Sequence, residues 1–188
     1  MMATHPALAS AIVLGFALIV FWRVDRDYAS RRRLSVFTAV LQVLAFLVHG
    51  LAYYSFFDSR DASASASEVI RPIAVALMVL GLTTTLGAMV QLSMGDTLGK
   101  TSRGLKKTGV YRFSRNPQLI AYFLFLTGYA LLTPQWHGLG WLGLYAIVAH
   151  MMVLTEERHL RRLCRGEFDE YCRSTPRYLG WRPRTSSQ

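Results

Sequence analysis

Asn116-Pro117-Gln118-Leu119-Ile120-Ala121-Tyr122-Phe123-Leu124-Phe125-Leu126-Thr127-Gly128-Tyr129-Ala130-Leu131-Leu132-Thr133, the short break Pro134-Gln135-Trp136, and a second apolar run from His137 to Thr155 that ends on Glu156-Glu157 decide how this chain folds. Asn is a favoured helix N-cap and Pro suits the first helical position, so Asn116-Pro117 reads as a helix start. Pro134 and Gln135 leave only a brief turn, which forces the two helices antiparallel and side by side. Asn116 and Glu156 therefore return to the same end. Upstream, Gly109-Val110-Tyr111-Arg112-Phe113-Ser114-Arg115 brings a basic, aromatic segment to that end, and downstream a basic tail leaves from it.

Working outward, the chain of 188 residues is 52% apolar yet carries a formal charge of +10, so the placement of the charges decides what they mean. Every Asp, Glu, Lys and Arg lies outside five apolar stretches: Ala7 to Trp22, Leu34 to Phe57, Pro72 to Met94, Pro117 to Thr133 and His137 to Thr155. A spanning helix needs ~20 mainly apolar residues, fewer when its ends snorkel. The expected fold is all-α: a polytopic membrane protein with five transmembrane helices, a C-terminal interfacial helix and a tail. Residues 1–95 hold the first three helices; residues 96–188 hold the basic loop, the hairpin and the tail, the region expected to carry the site.

Basic residues follow the first span (Arg23, Arg26, Arg31, Arg32, Arg33), the third (Lys100, Arg103, Lys106, Lys107, Arg112, Arg115) and the fifth (Arg158, Arg161, Arg162, Arg165). The other connections are nearly neutral, which predicts the N-terminus outside and the tail in the cytoplasm. Charges at membrane exits argue against a nucleic-acid footprint, which would cluster on a soluble face. The excess of Arg over Lys hints at a GC-rich bacterium and hence its inner membrane. The first apolar stretch lacks the positive start of a signal peptide. Asp61-Ala62-Ser63-Ala64-Ser65-Ala66-Ser67 reads as an outer flexible loop.

A helix start with free N–H groups favours an anion, which Arg112 and Arg115 would reinforce; the alternative is capping alone. Carboxylates at a membrane exit usually face protein or water, so Glu156 or Glu157 is a site candidate, with an ion pair to Arg161 as the alternative. His49 and His150 should face the bundle interior and find hydrogen-bond partners, while Gln42 and Gln91 should bond between helices. No metal site is expected, since no second His or Cys stands at ligand spacing. Cys164 and Cys172 match neither a zinc nor a redox spacing and read as reduced thiols. Gly138-Leu139-Gly140-Trp141-Leu142-Gly143 has the letters of a dinucleotide fingerprint without its strand, so close helix packing is the expected use. Arg158 to Arg173 predicts an interfacial helix, after which the stretch from Tyr171 to Arg177, with Pro176 as a stop, can fold back over the membrane exit.

In the last ~80 residues these features resemble the isoprenylcysteine carboxyl methyltransferase and related phospholipid methyltransferase family. The residues that carry the resemblance are Gly109, Tyr111 and Arg112; Arg115, Asn116 and Pro117; Glu156, Glu157 and Leu160; and Tyr171, Pro176 and Arg177. Leu119, Ala121, Cys164-Arg165 and Phe168 depart from the family pattern, and Leu119 removes a hydroxyl that could contact cofactor or substrate. The resemblance implies an integral membrane enzyme that transfers methyl from S-adenosylmethionine to a lipophilic or lipidated acceptor within the bilayer, with no nucleic-acid partner. It further implies cofactor contacts from Gly109, Tyr111, Arg115, Asn116, Pro117, Glu156 and Glu157, and catalytic roles for Arg177, Glu157 and Tyr171. The expected acceptor is a prenylcysteine-like carboxylate. Alternatives are a phospholipid amine, an NADPH-dependent reduction of the sterol-reductase type, and a non-catalytic scaffold.

Overall fold

A computed structural model describes residues 6–31, 35–58, 66–91, 109–132 and 136–180. Its elements are α1 (Pro6–Arg31), α2 (Val36–Asp58), α3 (Ile70–Gln91), a 3-10 turn (Gly109–Arg112), α4 (Pro117–Leu132), α5 (Trp136–Leu163) and α6 (Arg165–Ser174). The architecture is all-helical, as the charge-free runs predict. Among the described residues four helices are long and apolar enough to cross a membrane, and α4 is a shorter apolar helix. At 1.5 Å per residue its 16 residues span about 24 Å, several ångströms less than a bilayer core.

α1 outruns the membrane and carries Asp25, Arg26 and Asp27 on its last turns. Asp27 is buried, and its Oδ2 accepts from Ser35 N (2.9 Å), Ser35 Oγ (2.6 Å) and Thr38 Oγ1 (2.6 Å). Ser35 Oγ accepts in turn from Thr38 N at 3.2 Å, an N-cap that starts α2. One carboxylate thus ties the end of α1 to the beginning of α2.

Water exclusion cannot press helices together inside lipid, so close approach depends on small residues. α3 and α4 form the most intimate pair. Ala74, Gly81 and Ala88 recur every seven residues on α3, as do Ala121 and Gly128 on α4. A Cβ at Gly81 would lie 2.5 Å from Ala121 O and Phe125 N, and one at Gly128 would lie 2.5 Å from Ala74 O. These helices touch through their backbones. Gly140 and Gly143 do not work this way: a Cβ at either would meet nothing within 4 Å.

The other core joins α1, α2 and α5 through Val13, Ala17, Phe21, Tyr53, Trp141, Leu144 and Val148. Leu119 and Leu126 of α4 pack on Leu142, Tyr145, Ala149 and Val153 of α5 and link the two halves. His49 bonds Trp141 O through Nε2 at 3.2 Å, and Tyr145 donates to Leu119 O at 2.9 Å. Outward-facing Val75, Val79, Leu82, Leu86 and Val90 leave one side of α3 exposed, as a lipid-facing helix should be.

The tail departs from the expected single interfacial helix. α5 continues unbroken to Leu163, the chain kinks at Cys164, and α6 begins at Arg165. Phe168 and Tyr171 bury the inner face of α6, and neither Cys164 nor Cys172 is in a disulfide. The turn at Pro134-Gln135, most of the Ala-Ser run and the basic residues from Lys100 to Lys107 lie outside the described residues.

Candidate active site

The helix start predicted at Asn116-Pro117 forms there, with Pro117 as the first residue of α4. It is roofed by the tail. Arg115 N donates to Pro176 O (3.0 Å), and Asn116 Nδ2 (3.0 Å) and Ser114 Oγ (3.3 Å) both donate to Arg177 O. Ser114, which the sequence reading passed over, also accepts from Asn116 N at 3.0 Å and is buried. Nothing in its spacing marked it.

Glu157 stands at the centre of this arrangement. Arg177 grips its carboxylate with two parallel bonds, Nε to Oε1 at 2.9 Å and Nη2 to Oε2 at 2.7 Å, and Arg115 Nη1 reaches Oε1 at 2.9 Å. Such forked pairs are the strong form of ion pair, and here Glu157 is buried and the Arg115 side chain is nearly covered. Arg115 also reaches Cys172 Sγ at 2.6 Å and lies 5.8 Å from the centre of the Phe168 ring. The hydrogen bond to Glu157 holds the Arg177 guanidinium pKa above its ordinary value. Burial raises the pKa of the Cys172 thiol against the opposing pull of Arg115, so it stays protonated at neutral pH.

Tyr171 donates to Tyr111 O at 2.9 Å and clamps α6 onto the 3-10 turn; burial pushes its phenol up to about 12. Tyr111 extends the clamp to α4 and α3, its hydroxyl proton lying within reach of Gln118 Oε1 (3.3 Å) and Ala88 O (3.4 Å). Its phenol is also raised, first by burial and then by Tyr171 and Glu156. Gly109 has φ +62 and packs on Gln91, whose Oε1 would be 2.5 Å from a Cβ placed there, so its glycine answers a backbone need.

The two glutamates part company. Glu156, one residue earlier on α5, meets Gln42 Nε2 of α2 at 3.4 Å and lies near enough to the Tyr28 and Tyr111 hydroxyls to act on them electrostatically. No cation pairs with it among the described residues. Beside it, Tyr28 of α1 stacks on His159 of α5 with ring centroids 3.7 Å apart. His150 behaves as predicted and finds a partner, with Nδ1 2.8 Å from the Tyr178 hydroxyl on the tail. Arg161 pairs at long range with Asp169 rather than with a glutamate of α5.

The site thus joins a helix start roofed by the tail, a basic turn, an apolar hairpin and adjacent carboxylates. The phospholipid methyltransferase family model matches residues 70–165, just over half of the chain. This chain belongs to the phospholipid methyltransferase family. No curated protein and no solved structure matches it significantly. The family match begins with α3, where the sequence reading placed the resemblance only in the last ~80 residues, and the backbone contact between α3 and α4 gives a physical reason for that extent. In this phospholipid methyltransferase relative, α6 and the Arg177 segment lie beyond the matched span and join the site through Glu157.

Proposed function

We propose that the protein transfers a methyl group from S-adenosylmethionine to the amine of a membrane phospholipid. Family membership supports methyl transfer to a lipid-type acceptor. The observation that carries the finer reading is the division of labour between the adjacent glutamates. Glu157 is neutralised by Arg115 and Arg177, while Glu156 has Gln42 as its hydrogen-bond partner and no cation among the described residues.

A partly buried carboxylate without a cation fits the ammonium of an amino-acid-type donor. The remaining site residues then have positioning roles. Arg115, Asn116 and Arg177 hold the tail across the hairpin and exclude water, Tyr111 and Tyr171 fix the 3-10 turn, and Pro117 sets the helix start. When bound, the donor supplies an electrophilic methyl on a sulfonium, a centre whose charge disappears as the methyl leaves; a dry enclosure favours that change.

The acceptor follows from the same accounting. A prenylcysteine-like carboxylate, ranked first from the sequence, needs a cation to hold it, and Arg115 and Arg177 are both engaged by Glu157. An amine needs no such cation, and the family description favours a phospholipid. The test is equilibrium binding of S-adenosylmethionine and of NADPH to detergent-purified protein, followed by labelled methyl transfer into phosphatidylethanolamine vesicles or a prenylcysteine. The expected result is donor binding and label in the phospholipid. NADPH binding without S-adenosylmethionine binding would overturn the proposal, and label in the prenylcysteine alone would restore the carboxylate.

A further inference from the structure

An amine acceptor presents a problem that the site described so far does not solve. At neutral pH the amine is an ammonium with no lone pair, so a proton must leave before a methyl can arrive. Arg115, Arg177 and Glu157 are locked to one another. The Tyr171 proton is bonded to a backbone carbonyl. One titratable pair in the enclosure is used by none of this: His150 of α5 and Tyr178 of the tail, 2.8 Å apart.

We propose that His150 is the proton acceptor for the lipid amine and that Tyr178 is the residue that positions it; this rests on the amine reading above. Three observations converge on it. First, Tyr178 immediately follows Arg177, so the ion pair that closes the tail also delivers the Tyr178 hydroxyl to the imidazole. Second, Tyr178 packs against the cluster that Leu119 and Leu126 of α4 form with Leu142, Tyr145, Ala149 and Val153 of α5, which places the pair at the seam of the α4–α5 hairpin. Third, the hydrogen bond occupies Nδ1 and leaves Nε2 without a partner among the described residues. With Nδ1–H donating to the Tyr178 oxygen, Nε2 carries the lone pair. His150 stands seven residues before Glu157 on α5, two turns or about 10 Å along the helix axis.

In the step, an N–H bond of the acceptor ammonium breaks and its proton moves to Nε2. The freed nitrogen lone pair forms the new N–CH3 bond as the methyl–sulfonium bond of the donor breaks, with that electron pair remaining on sulfur. The imidazolium afterwards releases its proton to water when the tail opens. The titratable groups around the pair are Glu157 and Tyr145 on α5, Arg177 on the tail and Tyr122 on α4, with His49 of α2 against the Tyr145 ring. Arg177 is held by Glu157 and directly precedes Tyr178. Loss of the pairing should therefore impair His150 indirectly.

The test uses the full chain in phosphatidylethanolamine nanodiscs. For the wild type, methyl transfer should fall at acid pH. His150→Gln, which keeps a hydrogen-bonding group toward Tyr178, should lower turnover at pH 7 about 100-fold. It should also move the acidic limb upward in pH while the dissociation constant for S-adenosylmethionine stays unchanged. Tyr178→Phe should give about a 10-fold loss with the limb retained, and added imidazole should partly rescue His150→Ala. Independently of turnover, the 15N resonances of His150 should shift when phosphatidylethanolamine replaces phosphatidylcholine in the disc. A wild-type acidic limb that survives unchanged in His150→Gln overturns the inference while leaving amine methylation in place. A wild type that binds donor but never labels phosphatidylethanolamine defeats the amine reading itself.

Discussion

Residue Glu157 and residue Glu156 differ by one step of about 100° around a helix, and that step separates a brace from a binding group. Replacing Glu157 with Gln leaves Arg115, 8% exposed in its side chain, with a charge and no counter-ion. Breaking a buried pair in this way costs about 3–5 kcal/mol when both partners are fully desolvated. Arg177 is 35% exposed, so solvent screens its share and the cost should be smaller. Glu157→Gln should therefore lower the thermal midpoint of detergent-purified protein by several degrees and speed tryptic cleavage in the tail. Glu156→Gln should leave the midpoint nearly unchanged and weaken S-adenosylmethionine binding about 10-fold, or about 1.4 kcal/mol. Calorimetric titration beside a melting curve separates the two, and a swap of these outcomes would reverse the assignment. Asn116-Pro117 could be picked out of the sequence as a helix start, Arg115 and Glu157 as charges at a membrane exit, and Arg177 through the family resemblance, and the structure brings these residues together. Which glutamate faced which neighbour was not legible, since the answer depends on where the tail lands.

Among the elements, the hairpin was read correctly in outcome but incompletely in cause. Asn116 and Glu157 do share one end, yet the closest neighbour of α4 is α3, which no short connection announces. Two helices joined by a tight turn are adjacent by necessity, whereas two separated by a long loop pair only through complementary surfaces. The seven-residue spacing of Ala74, Gly81 and Ala88 carried that information, but a stripe of small residues names no partner. Similarly, the glycines at 140 and 143 invited a packing role that their open surroundings do not need. Gly81→Ala would drive a methyl against Ala121 O and the Phe125 backbone at 2.5 Å, and backbone cannot yield as a side-chain tip does. The expected loss is about 1–3 kcal/mol, with a similar loss for Gly128→Ala. Gly87→Ala meets nothing within 4 Å and should melt like the wild type. Equal midpoints for Gly81→Ala and Gly87→Ala would mean that α3 and α4 do not touch through their backbones.

For the whole molecule, hydrogen bonds and ion pairs fix which helix ends keep company. Asp25 near the end of α1 pairs with Arg158 on α5 at 3.1 Å, Asp27 holds Ser35 before α2, and Arg115 before α4 reaches Glu157 on α5. Tyr111 bonds Ala88 O near the end of α3, while at the other end Ala66 N, before α3, bonds Leu132 O, the last residue of α4. The helices therefore alternate in direction, and one end collects the Arg-rich turns together with the site. Lys and Arg beside short connections are retained on the cytoplasmic side, so that end should face the cytoplasm. The short α4 fits this placement, since Arg115 at its start can draw the headgroup region inward and thin the layer around the site. Alkaline phosphatase inserted after Ser63 should be active and a fluorescent protein fused after Gln188 should glow, because each reporter works only on the side predicted for it. The reverse pattern would place Glu156 and the roofed start of α4 outside the cell, away from any cytoplasmic methyl donor. The geometry of the site would survive that result, but the function argued from it would not.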